Sequence, residues 1–199
     1  MGEAVLVFGG WLLVLVACGL GNTVGYHRLL THRSFQTVAP VRWGLVLLGA
    51  VYSGSPMQWI AVHRIHHMAS DTDRDPHSPV AGPHGAWWAH AGWLIGSRRR
   101  LPVMLFALSG FGLQMFFIYR DVRRLSGSLK PDWRKLCSDF TEDRLLRWLD
   151  APLVMPLLWL AQVGVAVWIG GWWGMLWLWT LHLVLTNSSW AVNSFGHMS

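Results

Sequence analysis

The sequence is short of charge. Only 13% of its 199 residues are Asp, Glu, Lys or Arg, against about 25% in an ordinary soluble domain. It holds two cysteines, Cys18 and Cys137, in unlike contexts. That excludes a disulfide-built secreted fold and reads as two free thiols in a reducing compartment. There is no G-X-Y period, so a collagen-like rod is excluded, and no internal repeat stands out. With 53% hydrophobic residues the chain collapses rather than staying disordered. No Lys or Arg precedes Arg28 and none follows Arg147. A net charge of +6 would suggest nucleic acid in a soluble protein. Cations confined to the middle of an apolar chain instead mark a membrane protein, with the basic middle facing the cytosol and anionic lipid headgroups. No nucleic-acid partner is expected.

What the chain does have is long apolar runs, fifteen Trp and ten His. Residues 4–26 are uncharged, enough for the roughly 20 residues that cross a hydrocarbon core. The run lacks a basic n-region and a small-residue cleavage site, which disfavours a signal peptide. Residues 43–62 are also uncharged but broken by Tyr52-Ser-Gly-Ser-Pro56, as in an interfacial or re-entrant helix. Residues 101–119 form another apolar stretch, flanked by Arg98–Arg100 and Arg120. Residues 121–150 turn polar and predict a cytosolic helical segment. The rest is apolar, with Gly170-Gly171 predicting a turn between spans at about 151–169 and 172–192. Trp residues around that turn fit an interfacial belt. The fold expected is a single all-α integral membrane domain over 1–199, in which transmembrane and interfacial helices carry a cytosolic histidine-box di-metal site.

Histidines cluster at the borders between apolar and polar stretches. His27 and His32 follow the first span; His63, His66 and His67 follow the broken stretch; His90 follows Trp87-Trp88; His197 lies four residues after Asn193. Positions 63, 66 and 67 share one helical face. Asn193 and His197 share another. His27 and His32 stand about 140° apart on an ideal helix, so they converge better if the helix ends between them. Three imidazoles on one face gain little unless a cation joins them, and neutral imidazole is the commonest metal ligand. His84 reads as an interfacial polar residue, and His182 as a buried hydrogen-bonding group.

If both boxes serve one centre, residues 33 and 63 lie on one side of the membrane. The stretch 43–62 is then no simple pass, and its non-helical backbone must be covered by protein. The hairpin crosses out and back, returning Asn193 and His197 to that side. By the same logic 101–119 begins and ends there.

These motifs resemble the membrane-bound fatty acid desaturases, in particular the acyl-CoA Δ9 (stearoyl-CoA type) branch and its bacterial relatives. The likeness rests on Thr23-Val-Gly-Tyr-His-Arg-Leu-Leu-Thr-His-Arg-Ser-Phe35, on Trp59-Ile-Ala-Val-His-Arg-Ile-His-His67, on Asp71-Thr-Asp-Arg-Asp-Pro-His-Ser78 with Trp87-Trp-Ala-His-Ala-Gly-Trp-Leu94, and on Asn187-Ser-Ser-Trp-Ala-Val-Asn-Ser-Phe-Gly-His197. It covers most of the chain.

The resemblance implies an O2-dependent oxidoreductase of unsaturated fatty acid synthesis. Its di-iron centre would be held by His27, His32, His63, His66, His67 and His197, with Asn193 bound through water. It implies Trp190, Trp59 and Arg64 in contact with substrate, an acyl-CoA or acyl-lipid chain that receives a cis double bond, and electrons from a small donor such as cytochrome b5 or a ferredoxin. Asp71, Asp73 and Asp75 are candidates to orient ligand imidazoles. Arg64 and Arg98–Arg100 are candidates to meet a CoA phosphate or lipid headgroups. A bacterial inner membrane, with the boxes on the cytosolic side, is the expected location. The resemblance also implies an earlier helix and a third H-x-x-H-H box. This chain carries neither, so it is expected to be a truncated form with six of nine imidazole ligands. Two alternatives are a His-box membrane hydroxylase and a non-catalytic desaturase remnant.

Overall fold

The computed structural model describes residues 2–70, 72, 74–80, 85–110 and 135–196. Every regular element among them is helical. Helix α1 (Gly2–Leu20) runs without interruption into a π-helix, Gly21–Thr31. Its outer face presents Val5, Leu6, Val7, Phe8 and Leu13, as expected where lipid tails rather than protein cover the apolar side chains. By length and composition this rod can cross a membrane.

Helix α2 (Ala39–Ser53) packs across the π segment at very close range. Glycine makes the approach possible. A Cβ on Gly21 would lie 2.3 Å from the Gly49 nitrogen, and one on Gly49 would lie 2.7 Å from the Tyr26 ring. Small residues at such crossings let backbones meet where apolar burial offers no net drive between helices in lipid.

Helix α3 (Pro56–Ala69) follows after an 80° bend. Gly54 takes a left-handed φ of 78°, Ser55 caps α3 through its side chain, and Pro56 fills the first turn, where its missing N–H costs nothing. The non-helical backbone of the bend is satisfied by protein. Tyr26 donates its hydroxyl to the Gly54 carbonyl at 2.9 Å. Asp150 accepts from Ser55 Oγ at 2.6 Å and from Gln58 Nε2 at 3.3 Å.

The chain then forms a short helix in three pieces, Gly85–Trp87, a π turn Trp88–Gly92 and Trp93–Ile95, and an apolar helix Arg100–Ser109. Residues 111–134, which include the second half of the expected 101–119 stretch and the first half of the expected cytosolic segment, lie outside the described residues. Description resumes with a 3-10 helix, Lys135–Phe140, and a helix, Arg144–Leu149, which bury Cys137, Leu146 and Leu149 against Tyr26, Met57 and Ile60. Cys18 and Cys137 are both free and buried.

The final element, Val154–Phe195, is helical on either side of Gly171, whose φ of 53° and ψ of −129° break it. The chain reverses there. Gln162 and His182, twenty residues apart, meet at 3.1 Å, whereas on one straight helix they would stand about 30 Å apart. Trp168, Trp172 and Trp173 are exposed around the turn, in keeping with an aromatic belt at a membrane surface. The arms and α1 make this an all-α membrane protein.

Candidate metal centre

The π-helix changes the geometry of the first box. On an α-helix His27 and His32 would diverge. The helix widens before it ends between them, at Thr31, with His32 as its C-cap. In a π-helix each N–H reaches the carbonyl five residues back, and the His32 N–H bonds to the His27 carbonyl at 3.0 Å. The two rings therefore stack edge to face, with centroids 4.5 Å apart and Nε2 to Nε2 at 3.0 Å.

Helix α3 supplies the facing pair by ordinary i, i+4 spacing. His63 and His67 bring Nε2 to Nε2 at 3.0 Å. The pairs meet ring to ring, His27 on His63 at 4.8 Å and His32 on His67 at 4.7 Å. One ring nitrogen from each of these four residues lies within 4.8 Å of all the others. Ligand nitrogens at about 2.1 Å from one ion stand up to about 4.2 Å apart, so small side-chain shifts let all four reach one ion. Burial, then the neighbouring His27, His67, His66 and His77, lowers the pKa of His63 to about 2. Its ring is thus neutral, the form that offers a lone pair to a metal. Trp59 stacks on His63 at 4.7 Å and meets His27 edge-on at 6.3 Å, packing against both rings.

His66 does not join this group. It sits with Asp75 and His77 in a separate buried cluster. Its Nδ1 bonds to Asp75 at 2.9 Å, and its ring packs on His77 at 4.4 Å. Burial acts to raise the Asp75 carboxyl, but the hydrogen bond from His66 and the nearby His77 leave it lowered overall, so it stays a carboxylate. Asp71, Asp73, His84 and His197 lie outside the described residues.

A cavity of about 190 Å³ opens beside the four imidazoles. His27, His63, Trp59, Val62, Trp93, Trp190 and Asn193 line it. Trp190 is buried and stacked on Phe106 at 5.6 Å. Arg64 does not line the cavity. Its guanidinium bonds to Asp139 at 2.9 Å through two nitrogens, to the Leu30 carbonyl at 3.3 Å, and to the Leu136 carbonyl. Arg98 and Arg100 stack over Trp88 and Trp87.

Three side chains near the site carry weak sequence signals or none. His77 lines the cavity; its place in Asp-Pro-His-Ser, eleven residues beyond His66, was the only cue. His90 engages the last helix through both nitrogens, Nδ1 with Ser194 and Nε2 with Asn187, each at 3.0 Å. Its position after Trp87-Trp88 hinted at importance but not at this partner. Asp139 had no local signal, because its partners are 75 and 106 residues away.

No family model matches the chain. Among curated proteins, it is 52% identical over 85 residues to the sn-1 stearoyl-lipid 9-desaturase of Anabaena variabilis, an alignment covering 42% of this chain and 30% of that protein. It is 31% identical over 206 aligned positions to the hex-5-enoyl-[acyl-carrier protein] acetylenase of Moorena producens (strain JHB), covering 98% of this chain and 56% of that one. It is 30% identical over 199 aligned positions to the sn-2 palmitoyl-lipid 9-desaturase of Nostoc sp. (strain 36), covering 97% and 56%. Along its whole length the chain thus spans about half of such relatives.

Proposed function

We propose that this membrane protein, whose curated homologues are acyl-lipid and acyl-CoA desaturases, is a fatty acyl desaturase that places a cis double bond, at the Δ9 position, in an acyl-CoA or acyl-lipid chain. The observation that carries the reading is the convergence of four imidazoles from two separate boxes beside a cavity with aromatic walls. An all-imidazole donor set suits iron, zinc, copper or nickel; of these, iron is the one that supports an O2-dependent desaturation. His27, His32, His63 and His67 would hold one ion. His66, His197 and Asn193 through water are the further ligands of a two-iron centre.

Breaking an unactivated C–H bond needs an oxidant that side chains cannot supply, and iron with O2 and two electrons supplies it when bound. The protein's own part is placement and exclusion. Trp59 and Trp190 form apolar walls against which a methylene chain gains burial free energy of about 25 cal/mol per Å². Their bulk keeps bulk water from the reacting carbons. The depth at which the cavity holds the chain fixes which carbons face His27 and His63. Asp75 orients His66 through Nδ1 and leaves its Nε2 for metal.

Arg64 was a candidate for substrate contact; its hydrogen bonds to Asp139 and two carbonyls favour a bracing role instead. We assign the His boxes to the cytosolic side of a bacterial inner membrane, where a small carrier such as cytochrome b5 or a ferredoxin delivers electrons. The basic residues around the boxes support that side. Expression in a host lacking its own Δ9 desaturase, with an electron donor supplied, tests the reading. New cis double bonds in the host lipids are expected. Hydroxylated chains would make the protein a hydroxylase, and unchanged lipids with iron bound would overturn the activity.

A further inference from the structure

The 3-10 helix Lys135–Phe140 packs against α3, which carries the second histidine box. Its Asp139 carboxylate ion-pairs with Arg33 and with Arg64. Arg33 follows His32 directly, and Arg64 follows His63 directly. Arg64 takes Asp139 through both Nη atoms, each at 2.9 Å, the two-point geometry that fixes orientation as well as distance. The same guanidinium bonds to the Leu30 carbonyl in the first box and to the Leu136 carbonyl in the 3-10 helix. Phe140 sits among the guanidinium groups of Arg33, Arg42 and Arg64, at 5.7, 6.0 and 5.5 Å. Cys137 Sγ donates to the Met57 carbonyl at 3.2 Å, tying the same short helix to the start of α3.

We propose that Asp139 is a positioning residue for the metal centre. By bridging Arg33 and Arg64 it locks the first box to the second and keeps the His27–His32 pair facing the His63–His67 pair. The inference rests on the metal reading above. It adds a residue more than seventy positions from either box and outside every motif. The physical need is plain: the two pairs come from different helices, and the imidazoles offer no cohesion of their own until a cation joins them. Arg64 is half-buried and Arg33 exposed; two like charges set side by side next to the boxes repel, and Asp139 is the carboxylate that both contact.

Two measurements on the full chain in detergent test this. In the first, Co2+ is titrated and its visible absorption followed. Asp139→Asn and Asp139→Ala should weaken Co2+ binding about 10–100-fold, the range for residues that hold ligands in place. Asp139→Glu should recover part of the loss. Arg147→Gln, which changes an exposed cation on the helix Arg144–Leu149 outside this cluster, should bind as the wild type does. In the second, hydrogen exchange is measured without metal. Asp139→Asn should speed exchange at residues 27–34 and 59–67, not only at 135–140. Equal Co2+ affinity in wild type and Asp139→Asn, or faster exchange confined to 135–140, would overturn the proposal. Wild-type protein that binds no Co2+ overturns the metal reading instead; the exchange result still decides whether Asp139 joins the boxes.

Discussion

The Asp75 carboxylate accepts a hydrogen bond from His66 Nδ1 at 2.9 Å, with both side chains buried. This fixes the His66 tautomer. With Nδ1 donating to the carboxylate, Nε2 is the nitrogen that would meet a metal. A carboxylate behind an imidazole also raises its basicity as a ligand. Asp75→Asn puts an amide there that can donate as well as accept, and the tautomer is no longer enforced. The expected outcome is about a 10–100-fold loss of affinity for the ion at His66, with the four-imidazole cluster still loading. Metal titration with two resolved phases checks this. Equal weakening of both phases would mean that Asp75 supports the whole site.

Gly49 allows the π segment and α2 to touch. A Cβ there would meet Tyr26 Cε1 at 2.7 Å and the Gly21 carbonyl at 3.0 Å. Gly49→Val should therefore destabilise by about 1–3 kcal/mol, the usual cost of overpacking. It should also shift Tyr26 away from the Gly54 carbonyl. Thermal unfolding in detergent reads the first effect. Gly44→Val serves as the contrast, since nothing lies within 4 Å of a Cβ at that position, and it should unfold as the wild type does.

Some of this was legible beforehand. The break at residues 52–56, the reversal at Gly171 and the pairing of His63 with His67 all follow from local signals: a proline with a capping serine, a glycine pair, and i, i+4 spacing. The first box is only partly legible, for a definite reason. Its spacing of five fits no α-helical face, and nothing local says whether the chain meets it by ending the helix or by widening to a π-helix. The split of His66 from its neighbours depends on Asp75, brought near by a loop. The Asp139 bridge depends on contacts over 75 and 106 residues, which no local pattern encodes.

Acid should loosen the same bridge. Burial raises the Asp139 carboxyl, but hydrogen bonds from Arg64 and Arg33 outweigh it and leave the pKa below its ordinary value of 3.8. A carboxylate held lower in the folded state stabilises above the unfolded pKa and loses that contribution as pH falls through the folded one. The stability gap between wild type and Asp139→Asn should thus be constant above about pH 5 and shrink below about pH 4. Urea unfolding of both proteins at several pH values checks this. A gap unchanged at pH 3 would contradict it.

The central claim is that His27, His32, His63 and His67 together hold a metal ion. Its most direct test is elemental analysis of protein purified from iron-supplemented cells, wild type beside His63→Ala. Iron should be retained by the wild type and lost by His63→Ala, with the helical content of both unchanged. Folded wild-type protein without bound metal, or His63→Ala holding as much iron as the wild type, would contradict it.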